Sequence, residues 1–295
     1  MVRELVIKPK ADGTYIPFVH ARLLKPLRYL RLLAYDLSNS EQWIYPPRYH
    51  SLVARDITQL AIHYPAIRSP TTAMWLETFR LVWSLPKLSV LFLDMTRYPD
   101  VTESGMRHLR AIRRPGACAE LKTLVLKGEF CCNLLPECPF GTSVKQLSLQ
   151  FHGDRPGPLG SNYGPLLAQI NYFSSLQELH MYISRSSIPG KDTRAASGYI
   201  VPVLTHLRPD ALQTVSFRIG NIGSGRRGHF FLELRSKVDE LLTSFPSLGS
   251  VSFQLPCPLG DLPHDKGMLE RLLLDRLPKL RETGVPVTLK WHHQS

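Results

Sequence analysis

Four groupings of residues in this chain have types that could do chemistry. The segment Gly223-Ser224-Gly225-Arg226-Arg227-Gly228 satisfies G-x-G-x-x-G between a predicted strand and a predicted helix. In a dinucleotide fold such glycines let backbone amides at a helix N-terminus meet a pyrophosphate. That fingerprint begins almost directly after its strand, whereas Ile219-Gly220-Asn221-Ile222 intervenes here, and the segment reads as a loop. Cys131-Cys132 with Cys138, and the terminal His292-His293, have ligand chemistry but lack the paired C-x-x-C or H-x-x-x-H spacing of a zinc site. The eleven histidines form no local arrangement with Ser, Cys or Asp that would make a nucleophile and base. The expected chemistry is therefore recognition: a non-enzymatic chain without cofactor or metal.

Recognition needs a surface, and the sequence spells out how one is built. The pattern apolar-x-x-apolar-x-apolar recurs nine times, from Val2, Leu27, Ile57, Leu88, Leu121, Val144, Leu176, Leu212 and Leu248, at intervals of 23 to 36 residues. A partial tenth copy is Val285-Val287-Leu289. The last two apolar residues of each triplet are two apart, which puts them on one face of a short strand and the intervening residues on the other. A repeat of that length marks a solenoid. Between the triplets, helical apolar spacing runs through Trp75-Phe79-Val82, Met106-Leu109-Ile112, Leu166-Leu167-Ile170-Phe173, Ile200-Val203-Leu204-Leu207, Phe231-Leu234-Val238-Leu241-Phe245 and Leu269-Leu272-Leu273-Leu277. Each stripe must pack on something, and the strand layer is the natural partner. Three of these helices end in Leu85-Pro86, Phe245-Pro246 and Leu277-Pro278, where proline cannot continue a helix and delivers the chain to the next strand. The expected fold is α/β, a solenoid of about ten irregular strand-helix repeats. Parallel strands line its concave face and helices its convex face, in a single horseshoe domain over 1–295.

These triplets, with phrases such as LVWSLPKLSVLFLDM (81–95) and LLTSFPSLGSVSFQL (241–255), resemble the leucine-rich-repeat superfamily, and in particular the irregular repeats of fungal F-box receptors of cullin-type ubiquitin ligases. The resemblance implies a substrate-recognition region that holds a protein substrate or adaptor. Two departures stand out. The position that is usually Asn or Cys in such repeats is held by Lys10, Tyr35, Pro65, Thr96, Glu129, His152, Ser184, Gly220 and Pro256, so the buried Asn ladder that evens the curvature is missing. No F-box is visible, since a triplet already opens at Val2 and only Lys290 to Ser295 follow the last expected strand. Because solenoid ends need polar caps, the expectation is a repeat region that belongs to something longer, a reading frame begun too late, or a chain whose ends are covered by a partner.

Composition agrees with recognition and narrows the setting. Thirty-six Lys and Arg against twenty-four Asp and Glu leave +12, a balance that attracts nucleic acid, acidic proteins or anionic lipid without choosing among them. The local clusters are His108 to Arg114 and Arg226-Arg227, both outside the strands, and they carry the alternative of a basic repeat protein that binds RNA or another polyanion. MVRELVIKPK is charged rather than a signal peptide, and no apolar run suffices for a membrane helix. Five cysteines without framework spacing suit a reducing compartment, cytoplasmic or nuclear. The strand register predicts the outward columns in which a partner would be held. The residues expected to touch it are Arg31, His63, Val90, Phe92, Val125, Lys127, His180, Tyr182 and Arg218, centred on the apolar group of Val90, Phe92 and Val125.

Overall fold

The structure, a computed structural model, describes residues 3–7, 31–36, 56–64, 72–97, 103–113, 115–129, 140–153, 170–185, 194–208, 210–220, 231, 234, 236–256 and 264–292. The chain is α/β and divides into two compact units, residues 1–144 and 145–295. The first unit holds strands β1 (Glu4–Ile7), β2 (Leu32–Asp36), β3 (Gln59–His63), β4 (Val90–Arg97) and β5 (Thr123–Glu129). Helix α1 (Thr72–Ser84) follows β3, and α2 (Glu103–Ile112) follows β4. The second unit holds β6 (Gln146–Gly153), β7 (Glu178–Arg185), β8 (Thr214–Gly220), β9 (Ser250–Pro256) and β10 (Val287–His292). Its helices are α3 (Arg194–Thr205) before β8, α4 (Ser236–Thr243) before β9, and α5 (His264–Arg276) and α6 (Pro278–Glu282) before β10. Within each unit strands adjacent in sequence are adjacent in the sheet, and every pair is parallel. Parallel neighbours cannot be joined by a tight turn, which is why a long crossover separates consecutive strands.

A repeated hydrogen bond at the strand entrance sets the register. The carbonyl just before one strand accepts two successive N–H groups of the next. Arg31 O takes Thr58 N and Gln59 N, Thr58 O takes Ser89 N and Val90 N, and Ser89 O takes Lys122 N and Thr123 N. In the second unit Lys145 O takes Gln177 N and Glu178 N, Gln177 O takes Gln213 N and Thr214 N, and Gln213 O takes Gly249 N and Ser250 N. Hydroxyls reinforce the same step: Ser89 Oγ donates to Thr58 O at 3.0 Å and Ser143 Oγ to Leu121 O at 2.9 Å. No Asn ladder is needed to hold the strands in step.

With register fixed, alternation does the sorting. Leu60 and Ile62, Leu91 and Leu93, Leu124 and Leu126, Leu147 and Leu149, Leu179 and Met181, Val215 and Phe217, and Val251 and Phe253 are all buried. The helices supply the other half of the core with Phe79 and Val82 of α1, Leu109 of α2, Ile200, Val203 and Leu204 of α3, Val238 of α4 with Leu242 buried in place of the expected Leu241, and Leu269 and Leu273 of α5. Aromatic clusters knit each unit: Phe79 lies 4.9 Å from Trp83 and 5.8 Å from Phe140, and Phe253 lies 4.9 Å from Phe217 and 5.9 Å from Phe231. Burial of these side chains supplies the main driving force, about 1.5–3 kcal/mol for each large apolar one.

Three expectations are corrected. In β2 the pairing aligns Leu33 and Tyr35 with Leu60 and Ile62, so they take the places expected for Leu30 and Leu32. The segment Leu27-Arg28-Tyr29-Leu30-Arg31-Leu32-Leu33 fits two overlapping frames three residues apart, and an odd shift exchanges the faces of a strand. Pro278 stops α5 but also opens α6 as its first residue, where a missing N–H costs nothing. The buried Asp239 on α4 completes that helix start by accepting from Lys279 N and Leu280 N, both at 2.9 Å. Beside it, Lys237 and Lys279 hold the Glu240 carboxyl below its ordinary range. The last strand does not end at Leu289: Lys290, Trp291 and His292 continue it beside Gln254, Leu255 and Pro256. Leu166 and Leu167 of the predicted stripe, the glycine segment 223–228, Cys131, Cys132, Cys138 and His293 lie outside the described residues.

Candidate partner-binding face

The face opposite the core is made of rows that run across the strands, and the two units fill these rows differently. In the first unit the register aligns Glu4, Leu32, Gln59, Val90 and Thr123 as one row, and Val6, Ala34, Ala61, Phe92 and Val125 as the next. The third row is Asp36, His63, Asp94 and Lys127. Phe92 and Val125 are half-buried at one end of the apolar row, and Val6 at the other end is 55% exposed. Along the charged row the Asp94 carboxylate, itself buried, accepts from His63 Nδ1 at 2.6 Å and from Lys127 Nζ at 2.7 Å through the same oxygen, Oδ2. A carboxylate on Nδ1 orients an imidazole as in a base pair of a hydrolase. The row neighbours of His63 and the adjoining Ala61 and Phe92 supply no hydroxyl or thiol for it to activate. The arrangement is a carboxylate shared between the His63 imidazole and the Lys127 ammonium, flanking an apolar strip.

In the second unit the rows are Gln146, Glu178, Thr214 and Ser250; then Ser148, His180, Ser216, Ser252 and Thr288; then Gln150, Tyr182, Arg218, Gln254 and Lys290. The hydroxyls bond one another: Ser252 Oγ donates to Ser216 Oγ at 3.0 Å, Gln254 Nε2 to the same oxygen at 3.3 Å, and Ser250 Oγ to Thr214 Oγ1 at 3.4 Å. Glu178 Oε2 receives Gln146 Nε2 at 3.0 Å and lies 3.3 Å from His180 Nε2. The Arg218 guanidinium lies over the Tyr182 ring, 5.3 Å from its centroid.

The predicted contact residues divide accordingly. His63, Val90, Phe92, Val125 and Lys127 come together in the first unit, and His180, Tyr182 and Arg218 in the second. Arg31 does not join them. It precedes β2, its carbonyl anchors β3, and its guanidinium donates to Asp56 O at 2.9 Å. That is a consequence of the shifted frame, which puts Ala34 where Arg31 was expected. Lys290 was missed because the strand was taken to stop early, although Val287, Leu289 and Trp291 continue the alternation. Gly220 was missed as well: a Cβ there would sit 2.5 Å from the Tyr182 hydroxyl, so glycine makes room for that side chain.

Of the basic cluster, Arg107, His108 and Arg110 are exposed on α2, while Arg114, Arg226 and Arg227 lie outside the described residues. Among the described residues no group of three or more His, Cys, Asp or Glu could hold a metal ion, and no helix is long and apolar enough to cross a membrane. Neither the protein-family models nor the curated proteins compared with this chain match it.

Proposed function

We propose that the chain is a non-enzymatic protein-interaction scaffold in the cytoplasm or nucleus, a leucine-rich-repeat solenoid that resembles the substrate-recognition region of an F-box ubiquitin-ligase receptor. In this reading the strand-helix units stack as a horseshoe, with the strand rows concave and the helices convex, and the rows hold a protein substrate or adaptor. The observation that carries it is the half-buried Phe92 between Ala61 and Val125 in the pairing register, with His63, Asp94 and Lys127 alongside. An aromatic anchor inside a polar surround is how protein-protein hot spots are built, and truncating one costs about 2 kcal/mol or more of binding.

The test is affinity capture of the tagged chain from native lysate, before and after a high-salt wash, with wild type and Phe92→Ala side by side. A salt-resistant protein should be captured by the wild type and lost by about thirtyfold in the variant, while the circular dichroism of the two agrees. Capture of nothing but nucleic acid that salt removes favours the second reading, a basic repeat protein binding RNA or another polyanion. The net charge of +12 and the exposed Arg107 and Arg110 of α2 support that reading.

A further inference from the structure

We propose that the β6–β10 face docks an acidic, extended segment of a protein partner, with Arg218 and Lys290 as its cationic grips. This rests on the scaffold reading and gives its partner a chemistry. The columns of β6–β10 contain one carboxylate, Glu178, and it belongs to the row farthest from the cations, engaged with Gln146 and His180. Arg218 and Lys290 share the other outer row with Gln150, Tyr182 and Gln254, and both cations are exposed. Between these rows lies a floor of Ser148, His180, Ser216, Ser252 and Thr288, which brings no carboxylate and is in part satisfied by its own hydrogen bonds. Such a face offers positive charge and amide donors to a chain that brings carboxylates.

Two further features favour it. Arg218 is preorganised: its guanidinium rests on Tyr182, whose hydroxyl end reaches the spot that a side chain at residue 220 would fill. A guanidinium already held in place loses less freedom when it forks onto a carboxylate. The spacing also suits an extended chain. With strands about 4.8 Å apart, β8 and β10 set their cations about 10 Å apart, close to the spacing of side chains three residues apart on an extended polyproline II chain, which rises about 3.1 Å per residue and returns to the same face every third residue. A single-stranded nucleic acid would want bare aromatic faces for its bases, and Tyr182, the aromatic of these rows, already carries Arg218.

The experiment is fluorescence polarisation on the full chain with a labelled Gly/Ser peptide carrying two Glu three residues apart, its Gln counterpart and a labelled oligouridylate. The Glu peptide should bind about tenfold tighter than the Gln peptide, and Arg218→Gln or Lys290→Gln should each weaken it about fivefold to tenfold. Gly220→Ala removes no charge but displaces Tyr182, and should weaken the Glu peptide severalfold, whereas Arg110→Gln on α2, an equal change of net charge, should leave it unaltered. The proposal is overturned if Arg110→Gln weakens binding as much as Arg218→Gln, if the Glu and Gln peptides bind alike, or if oligouridylate binds tighter and is the probe that Arg218→Gln releases. Should the Glu peptide fail while the wild type still captures a protein that Phe92→Ala loses, the acidic-segment inference falls and the scaffold reading stands. Failure of both peptide and capture removes both.

Discussion

Strands β3–β5 and β8–β9 are nearly the same object seen from the core and different objects seen from the other side. Inward they read Leu60-Ile62, Leu91-Leu93 and Leu124-Leu126 against Val215-Phe217 and Val251-Phe253, all buried. Outward, the middle row is Ala61, Phe92 and Val125 in one unit and Ser216 and Ser252 in the other, and the row beyond changes from His63, Asp94 and Lys127 to Arg218 and Gln254. The shared side is what the entrance ladder and the helices require. The divergent side is free of that demand, because the strand period of two uncouples the faces. What distinguishes the two units is therefore carried by the outward rows.

The sharpest way to break this distinction is to cut both sides of one strand. Phe253 is fully buried against Phe217 and Phe231, so Phe253→Ala should cost about 3–5 kcal/mol. Ser252, its neighbour in sequence, points the other way and donates to Ser216, so Ser252→Ala should cost about 1 kcal/mol or less. Denaturant midpoints compare the two, and equal losses would mean that the outward side of β9 is core.

A smaller contrast sets two buried aspartates against each other. Asp239 satisfies two backbone N–H groups at the start of α6, and Asp239→Ala strands both, for about 2–3 kcal/mol. Asp94 instead meets side chains that can return to water, since His63 is 45% and Lys127 30% exposed. Asp94→Asn should cost about 1 kcal/mol, most of it at low salt. A salt-dependent loss at Asp239, or a loss at Asp94 as large as that at Asp239, would reverse the assignment of which aspartate holds the fold.

The same two residues show how far the sequence was readable. Asp94 directly follows the triplet Leu88-Leu91-Leu93, so its face followed from alternation alone. Asp239 did not, because its partners are 40 and 41 residues away and nothing in SKVDELLT marks it as a cap for another helix. Strands and most inward residues were legible wherever one apolar frame was available, as at Leu121-Leu124-Leu126. They were misread at β2, where Leu27 to Leu33 offers two frames and pairing to β3 decides. On the outward face the columns could be predicted, but which side chains lean together could not. The fit of Tyr182 beside Gly220 is a diagonal contact between strands, and it needs the register to the residue.

The smallest expected effect separates the cores themselves. The first unit hides a hydroxyl pair, Tyr64 with Thr78, beside its aromatic cluster, where the second clusters phenyl rings. Burial pushes the ionisation of Tyr64 far above its ordinary value, against a smaller opposing effect of the Thr78 hydrogen bond. A folded-state value raised in this way makes a contribution that is intact below about pH 10 and is lost as pH rises beyond it, because the unfolded chain gives up the proton and the folded chain keeps it. Half a unit above the ordinary tyrosine value the loss is slightly under about 1 kcal/mol. Tyr64→Phe should therefore be less stable than wild type at neutral pH, for want of the Thr78 bond, yet fall less steeply in a stability-pH series from about pH 9 to 11. Amide exchange should place the wild-type alkaline loss in β3 and α1 rather than β8 and β9. Identical slopes for the two proteins would mean that the Tyr64 hydroxyl is open to water rather than hidden in the first core.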